Sequence, residues 1–220
     1  MVSVESQMLV FDMDGVLVDV TDSYRETVVL TVAHFTGKTI SRDSIQDYKN
    51  QGGWNNDWVL SQKICADVGV EVAYGDVVKY FNHLFLDEGM IHRERWLPRD
   101  GLLDRLAGKF ELAIFTGRTR QEVEITLNRE GLLDKFLVLT ADDVEHEKPA
   151  PDGLLKIAAL RPGKKLLYVG DTVDDARCAR SASVPFIGIA SPASPRRDQL
   201  LDLFQREGAI QILGDINEIG

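Results

Sequence analysis

Short runs of consecutive apolar residues recur along the chain at 8–11, 112–115, 136–139, 166–169 and 185–189. Each is four or five residues long and lacks the apolar/polar alternation of a half-exposed strand, which predicts strands covered on both faces of a parallel sheet. Between them, 119–129, 151–160 and 172–181 carry helical spacing. Strand and helix alternate, so the expected class is α/β with right-handed crossovers. A C-terminal stretch, 198–208, reads as a packing helix, and 209–213 as a short edge strand.

One connection breaks this rhythm. The 77 residues from 20 to 96 separate the first strand region from the Leu97-Pro98 step, and an unstructured loop of that length is implausible in a compact fold. Tyr24, Val28, Val32 and Phe35 recur at helical spacing, as do Trp54, Trp58, Cys65 and Val68, and then Val77, Val78, Phe81, Leu84 and Phe85. The segment therefore predicts a small α-helical domain inserted into the core. Gly52-Gly53 interrupts it where a tight or mobile turn would sit.

Composition narrows the partners. Lys plus Arg number 25 and Asp plus Glu 35, a net charge of −10, the wrong sign for holding nucleic acid or an anionic membrane by counterion release. A small phosphate remains an acceptable ligand, because a metal ion and one or two cations set the field within a few ångströms. Cys65 and Cys178 show no disulfide or zinc spacing. His34, His83, His92 and His146 show no ligand spacing either and read as structural or surface residues. No apolar run approaches the ~20 residues of a membrane span, and the opening MVSVESQMLVF lacks a signal-type leader. The expected location is the cytoplasm.

In an open parallel sheet, residues just past the carboxyl ends of the strands share one rim, and ligands bind there. That rim holds Asp12 and Asp14, Thr116, Gly117 and Arg118, Lys148, and Asp171 with Asp174 and Asp175. Asp12 is placed to attack phosphorus as a carboxylate nucleophile, and Asp14 to protonate the leaving oxygen and later activate water. A phosphate and carboxylates repel unless a cation intervenes; Mg2+ suits an oxygen set with Asp12 and Asp171 as its carboxylates and Asp175 or Asp174 orienting its waters. The Thr116 hydroxyl, the Gly117 N–H and the Lys148 ammonium would neutralise the outer phosphoryl oxygens. Taken singly, each element is unspecific. A D-x-D is commonly a turn, and Lys148-Pro149 commonly a solvated lead into a helix. Their joint order along the chain is what carries the inference.

The strings FDMDGVLVD, IFTGR, EKPAPDGLL and VGDTVDDARCA resemble, in order, the four motifs of the haloacid dehalogenase superfamily of phosphatases. The resemblance implies a doubly wound parallel sheet over 1–19 and 97–220, with 20–96 as the α-helical cap of members whose insert follows the first motif. It leaves no room after Lys148 for the family's larger cap. It further implies a magnesium-dependent phosphatase acting on a small phosphorylated metabolite through an aspartyl-phosphate. Asp12 would be the nucleophile, Asp14 the acid/base that also lends its backbone carbonyl to the metal, Thr116 and Lys148 the phosphate binders, and Asp171 and Asp175 the last acidic pair. Members that act on haloacids or cleave carbon–phosphorus bonds lack the second aspartate of the first motif. Asp14 is present here, which points to phosphate esters.

Selectivity would then reside in the cap. The run GGWNNDW at 52–58 and Ser23-Tyr24-Arg25 fall outside the general motifs. One reading turns Lys49, Asn55 and Asn56 toward the cleft to bind the organic part of the substrate, with a Trp as a wall. The other makes Asn55 or Asn56 a helix cap and both Trp residues cap core. Arg118 has two readings as well, a clamp on a leaving-group oxygen or a partner for Glu122 one turn on. A phosphomutase would use the same Asp12 and Asp14, and a non-catalytic phospho-ligand sensor is the remaining alternative. Monomer and homodimer are both compatible with the sequence.

Overall fold

A computed structural model describes residues 7–220; the first six residues of the core segment expected over 1–19 lie outside the described residues. The central sheet has six strands in the order β5-β4-β1-β6-β7-β8, namely β1 (Gln7–Phe11), β4 (Glu111–Phe115), β5 (Leu137–Leu139), β6 (Lys165–Gly170), β7 (Phe186–Ile189) and β8 (Gln211–Leu213). All five neighbouring pairs are parallel. The continuous apolar runs follow from burial on both faces. Leu9 and Phe11 of β1 join one hydrophobic cluster while Met8 and Val10 join the other, and Leu112/Ile114 and Ala113/Phe115 of β4 divide in the same way.

Helices α5 (Leu102–Ala107), α6 (Arg120–Arg129), α7 (Asp152–Leu160), α8 (Val173–Ser181) and α9 (Arg197–Arg206) connect these strands. The chain builds β1, β4 and β5 toward one edge, then returns to β6 beside β1 and continues to the other edge. The order reverses at β1, so the carboxyl ends of β1, β4 and β6 bound the crevice such sheets use for ligands.

The insert leaves and re-enters the core through a minimal antiparallel ladder, β2 (Val18–Asp19) against β3 (Arg95–Trp96), pairing Val18 with Trp96 and Asp19 with Arg95. Between them run α1 (Tyr24–Thr36), α2 (Arg42–Gln51), α3 (Asp57–Asp67) and α4 (Tyr74–Asn82), the last continuing as a π-helical turn over His83–Asp87. The spacing that suggested a helix from Trp54 is cut short, because Asn56 caps α3 by accepting from the N–H groups of Trp58 and Val59. Trp54 lies outside the helix and packs edge-on against Tyr48, with ring centroids 5.9 Å apart.

The insert sits against the core through polar contacts. Asn50 donates to Gln199 at 3.1 Å, Asn56 to Glu147 at 3.3 Å, and Arg196 meets Asp47 at 2.9 Å. Gly53 donates its N–H to both Asp174 oxygens, each at 2.9 Å. Among the described residues, no helix is long and apolar enough to cross a membrane.

Candidate active site

Asp12 follows β1 directly and is 5% exposed. Its backbone N–H donates to the Val169 carbonyl at 2.7 Å, fixing it to β6. Lys148, also almost fully buried, places its Nζ 2.8 Å from Asp12 Oδ1, 2.7 Å from Asp175 Oδ1 and 3.1 Å from the Tyr168 hydroxyl. Asp175 is saturated: Oδ1 accepts from Lys148 and Tyr168, and Oδ2 accepts from the Thr172 N–H and hydroxyl. The bond from the Thr172 N–H, with the Asp175 N–H donating back to the Thr172 hydroxyl oxygen at 3.2 Å, forms the capping box that starts α8, so one carboxylate both begins a helix and holds the ammonium beside Asp12.

Asp171 sits at the turn after β6. Ligand oxygens of Asp12, Asp171 and Asp175 all lie within 4.8 Å of one another, a grouping able to hold a metal ion. Burial, opposed by Lys148, pushes Asp12 up to about 7. Burial together with Asp175 and Asp12 raises Asp171 well above the ordinary carboxylate range. Asp175 is held below that range: burial would raise it, but the ion pair and hydrogen bonds from Lys148 and the bonds from Thr172 and Tyr168 prevail. Gly15, at φ 71°, permits the close turn between the two loops, because a Cβ there would come within 1.9 Å of Asp171 Oδ2.

Arg118 is 2% exposed, and its guanidinium meets Asp14 Oδ1 at 2.7 and 2.6 Å, Glu94 at 2.7 Å and the Thr126 hydroxyl at 2.9 Å. The pairing with Glu122 does not occur: Glu122 bonds to Thr119 in the capping box of α6, and the partners of Arg118 are Asp14 and Glu94 instead. Arg118 thereby restrains Asp14 while leaving Oδ2 of that aspartate without a protein hydrogen-bond partner among the described residues. Thr116 is 1% exposed at the end of β4, beside β1, and its hydroxyl oxygen accepts the Arg118 N–H at 3.2 Å.

A cavity of about 60 Å³ lies over this rim. Core residues Asp12, Asp14, Gly117, Arg118 and Asp171 line it from below. Lys49, Asn55, Asn56 and Asp57 of the insert line it from above, with Tyr24, Trp58 and Phe81 as an aromatic wall. The placements in both readings of the 52–58 run occur together. Asn56 caps α3 and also lines the cavity, whereas Asn55 hangs over Gly117, where an added Cβ would stand 2.4 Å from Asn55 Nδ2. Lys49 is neutralised by Asp57 at 2.6 Å and donates to the Asn55 carbonyl at 3.2 Å. Trp58 is a wall residue that also donates its indole N–H to Asn82.

Three site residues escaped the sequence reading. Tyr168 is hidden in an apolar run, and Glu94, whose side chain is fully buried, stands in a charged stretch that resembles any solvated loop. Arg25 stood out only as part of an unusual tripeptide.

The sequence profile of the haloacid dehalogenase-like hydrolases matches residues 9–189. The chain is 32% identical over 200 residues to an imidazoleglycerol-phosphate dehydratase of Phytophthora nicotianae, covering 84% of this chain but only 44% of that protein's length. It is 26% identical over 188 residues to the pyrophosphatase PpaX of Bacillus velezensis, covering 83% and 82% of the two chains. Among solved structures, a haloacid dehalogenase-like hydrolase from Bacteroides fragilis superimposes with a TM-score of 0.78 at 20% identity, covering 98% of this chain and 100% of the other. The four motifs, the doubly wound sheet and the profile match agree, and the chain belongs to the haloacid dehalogenase-like hydrolase family.

Proposed function

We propose that the chain is a Mg2+-dependent phosphatase that hydrolyses a small phosphate monoester through an aspartyl-phosphate on Asp12. The observation that carries this reading is the environment of Asp12. One oxygen is held by Lys148 at 2.8 Å, the other has no protein partner among the described residues, and the residue opens onto the cavity beside Asp14. The free oxygen attacks phosphorus as the ester P–O bond breaks, and Asp14 gives its proton to the departing oxygen. Asp14 then takes a proton from water, whose oxygen displaces Asp12 and releases inorganic phosphate. Gly117 and Thr116, at the end of β4, are the donors proposed for the outer phosphoryl oxygens, with Lys148 supplying charge from beneath.

The carboxyl groups fit a divalent cation. Two of the three clustered carboxylates are pushed upward by burial, and Lys148 is the sole cation bonded to the cluster among the described residues. Asp12, Asp171 and the Asp14 backbone carbonyl would hold Mg2+; Asp175, with its bonds already committed, would act from the outer shell. The ion would supply the charge that lets a phosphate approach two carboxylates. Without a cation, the raised Asp12 makes folding less favourable as pH rises from about 4 toward 7. Mg2+ should therefore raise the melting temperature more at pH 8 than at pH 6, where protons compete for the same oxygens. Scanning calorimetry checks this, and an equal shift at both values would contradict it.

We further propose that residues 20–96 act as the cap governing access, with Gly53 latched to Asp174. Asp174→Ala removes a charge-assisted bond worth about 1.5–3 kcal/mol, and KM should rise roughly tenfold with a smaller change in kcat. Steady-state kinetics check this; an unchanged KM would remove the latch from the account.

The reading as a whole is tested by phosphate release from purified protein with Mg2+ over a panel of sugar phosphates, phosphorylated acids, nucleotides, pyrophosphate and imidazoleglycerol phosphate. Turnover of one class supports it. Conversion without free phosphate, or only with a bisphosphate activator, would indicate a mutase.

A further inference from the structure

Three cations line the cavity above Asp12: Arg25, Lys49 and Arg118. Two are already neutralised, Lys49 by Asp57 at 2.6 Å and Arg118 by Asp14 and Glu94 at 2.6 and 2.7 Å. Arg25 is different. No carboxylate pairs with it among the described residues; its Nη2 donates to Gln46 Oε1 over 3.4 Å, and its Nη1 is buried without any hydrogen-bond partner. A buried guanidinium donor left unpaired is unfavourable unless a ligand completes it.

Its location says where that ligand reaches. Arg25 lies in the first turn of α1, on the cap, and lines both the small cavity and a second one of about 280 Å³. The two cavities share Val20, Arg25 and Asp171, so the guanidinium stands on their common border. The small cavity suits the phosphoryl group; a departing group projecting from it meets Arg25 before the larger space, whose walls include Thr21, Gln46 and Ser191. The Asn55 Nδ2, also buried and unpartnered, is a second donor on the roof of the small cavity. Unsatisfied donors call for an acceptor-rich ligand, and a guanidinium selects a planar or multiply charged anion through paired, charge-assisted bonds.

We propose that Arg25 is the specificity-determining residue of this site, receiving a second anionic group, a carboxylate or a further phosphoryl, on the part of the substrate that departs. The inference rests on the phosphatase reading and narrows its substrate class. Asp12 acts on the phosphoryl group common to all esters, while Arg25 acts on what distinguishes them.

The test compares kcat and KM of the full chain with Mg2+ on phosphoglycolate, pyrophosphate and p-nitrophenyl phosphate, for the wild type, Arg25→Gln and Arg25→Lys. Arg25→Gln should lower kcat/KM on the preferred anionic substrate roughly 10- to 100-fold, mainly through KM, with less than about threefold change on p-nitrophenyl phosphate. Arg25→Lys should recover part of the loss, because it restores charge without the two-pronged geometry. Selective loss on phosphoglycolate identifies a carboxylate, and selective loss on pyrophosphate a phosphoryl group. An equal fall in kcat on all three substrates at constant KM would make Arg25 a counter-charge for Asp171 and overturn the proposal, as would unchanged kinetics. Melting temperatures of both variants within a few degrees of the wild type verify folding. Asp12→Asn run alongside separates the two levels. If it is inactive while Arg25→Gln is indifferent, only this inference falls; if it remains active, the phosphatase reading falls as well.

Discussion

Asp12→Asn is expected to abolish turnover, lowering kcat on the order of 10⁴-fold or more, as loss of a nucleophile does in enzymes acting through a covalent intermediate. The substitution is nearly isosteric, and the amide still accepts a bond from Lys148 through its oxygen. Structural damage should therefore be small; the amide simply cannot attack phosphorus. Asp12 is buried, bonded on one oxygen and raised to about 7 by burial opposed by Lys148, so removing its charge also relieves strain in the cluster. The melting temperature in the absence of Mg2+ should stay level or rise while activity disappears, and activity assays paired with calorimetry check both halves. Activity within tenfold of the wild type would show that the nucleophile lies elsewhere.

Lys148→Met should produce the largest loss of stability. The ammonium is 4% exposed, bonds Asp12, Asp175 and the Tyr168 hydroxyl, and lies 5.4 and 5.9 Å from the ring centres of Phe115 and Tyr168. Met fills similar volume but leaves two buried carboxylates without their counter-ion, which typically costs about 3–5 kcal/mol. The sign with pH distinguishes lost charge from lost packing. In the native protein, burial would raise Asp175, but Lys148 with Thr172 and Tyr168 brings it below its ordinary value; it therefore contributes stability above the unfolded carboxyl range and loses it in acid. Without Lys148, both carboxyls rise, so the deficit of the variant should be greatest near neutral pH and shrink as pH falls and they protonate. Denaturant titrations at pH 5 and pH 8 measure this. A deficit independent of pH would assign the role of Lys148 to packing.

Much of this arrangement is legible in the sequence, for identifiable reasons. The strands are apolar on both faces because clusters cover both sides of the sheet, so runs such as Leu112–Ala113–Ile114–Phe115 declare themselves without alternation. Asp12, Thr116, Lys148 and Asp171 each stand at a strand end or on the approach to a helix, and parallel topology then delivers them to one rim. Helix α2 is harder to see. Its main apolar anchor is Ile45, and much of its docking is polar, through Asn50 to Gln199 and Asp47 to Arg196, so it leaves little apolar period to detect. The Trp54 spacing misleads in the opposite direction, since a helical interval continued past a capping asparagine.

Partner choice is also hard to read locally. Glu122 is one turn from Arg118, yet the capping box claims it, and Arg118 reaches instead to Glu94 across the re-entry of the insert and to Asp14 after β1. Arg129 and Thr126 of α6 bind the same Glu94. Such long-range pairs have no signature at fixed sequence separation. The unpaired state of Arg25 is harder still to anticipate, because it depends on where the nearby carboxylates of the pocket go: Asp57 to Lys49, Asp14 to Arg118 and Glu122 to the capping box of α6.

The central claim is that phosphorus becomes covalently bound to Asp12, and Asp14→Asn offers the most direct view of it. With p-nitrophenyl phosphate, whose leaving group departs without a proton, transfer to Asp12 should proceed in this variant while attack by water stalls. Acid quench within the first turnover, followed by peptide mass spectrometry, should find close to one phosphoryl group per chain on the peptide containing Asp12. Stoichiometric nitrophenol release with that peptide unmodified, or with the phosphoryl group on another residue, would contradict the account.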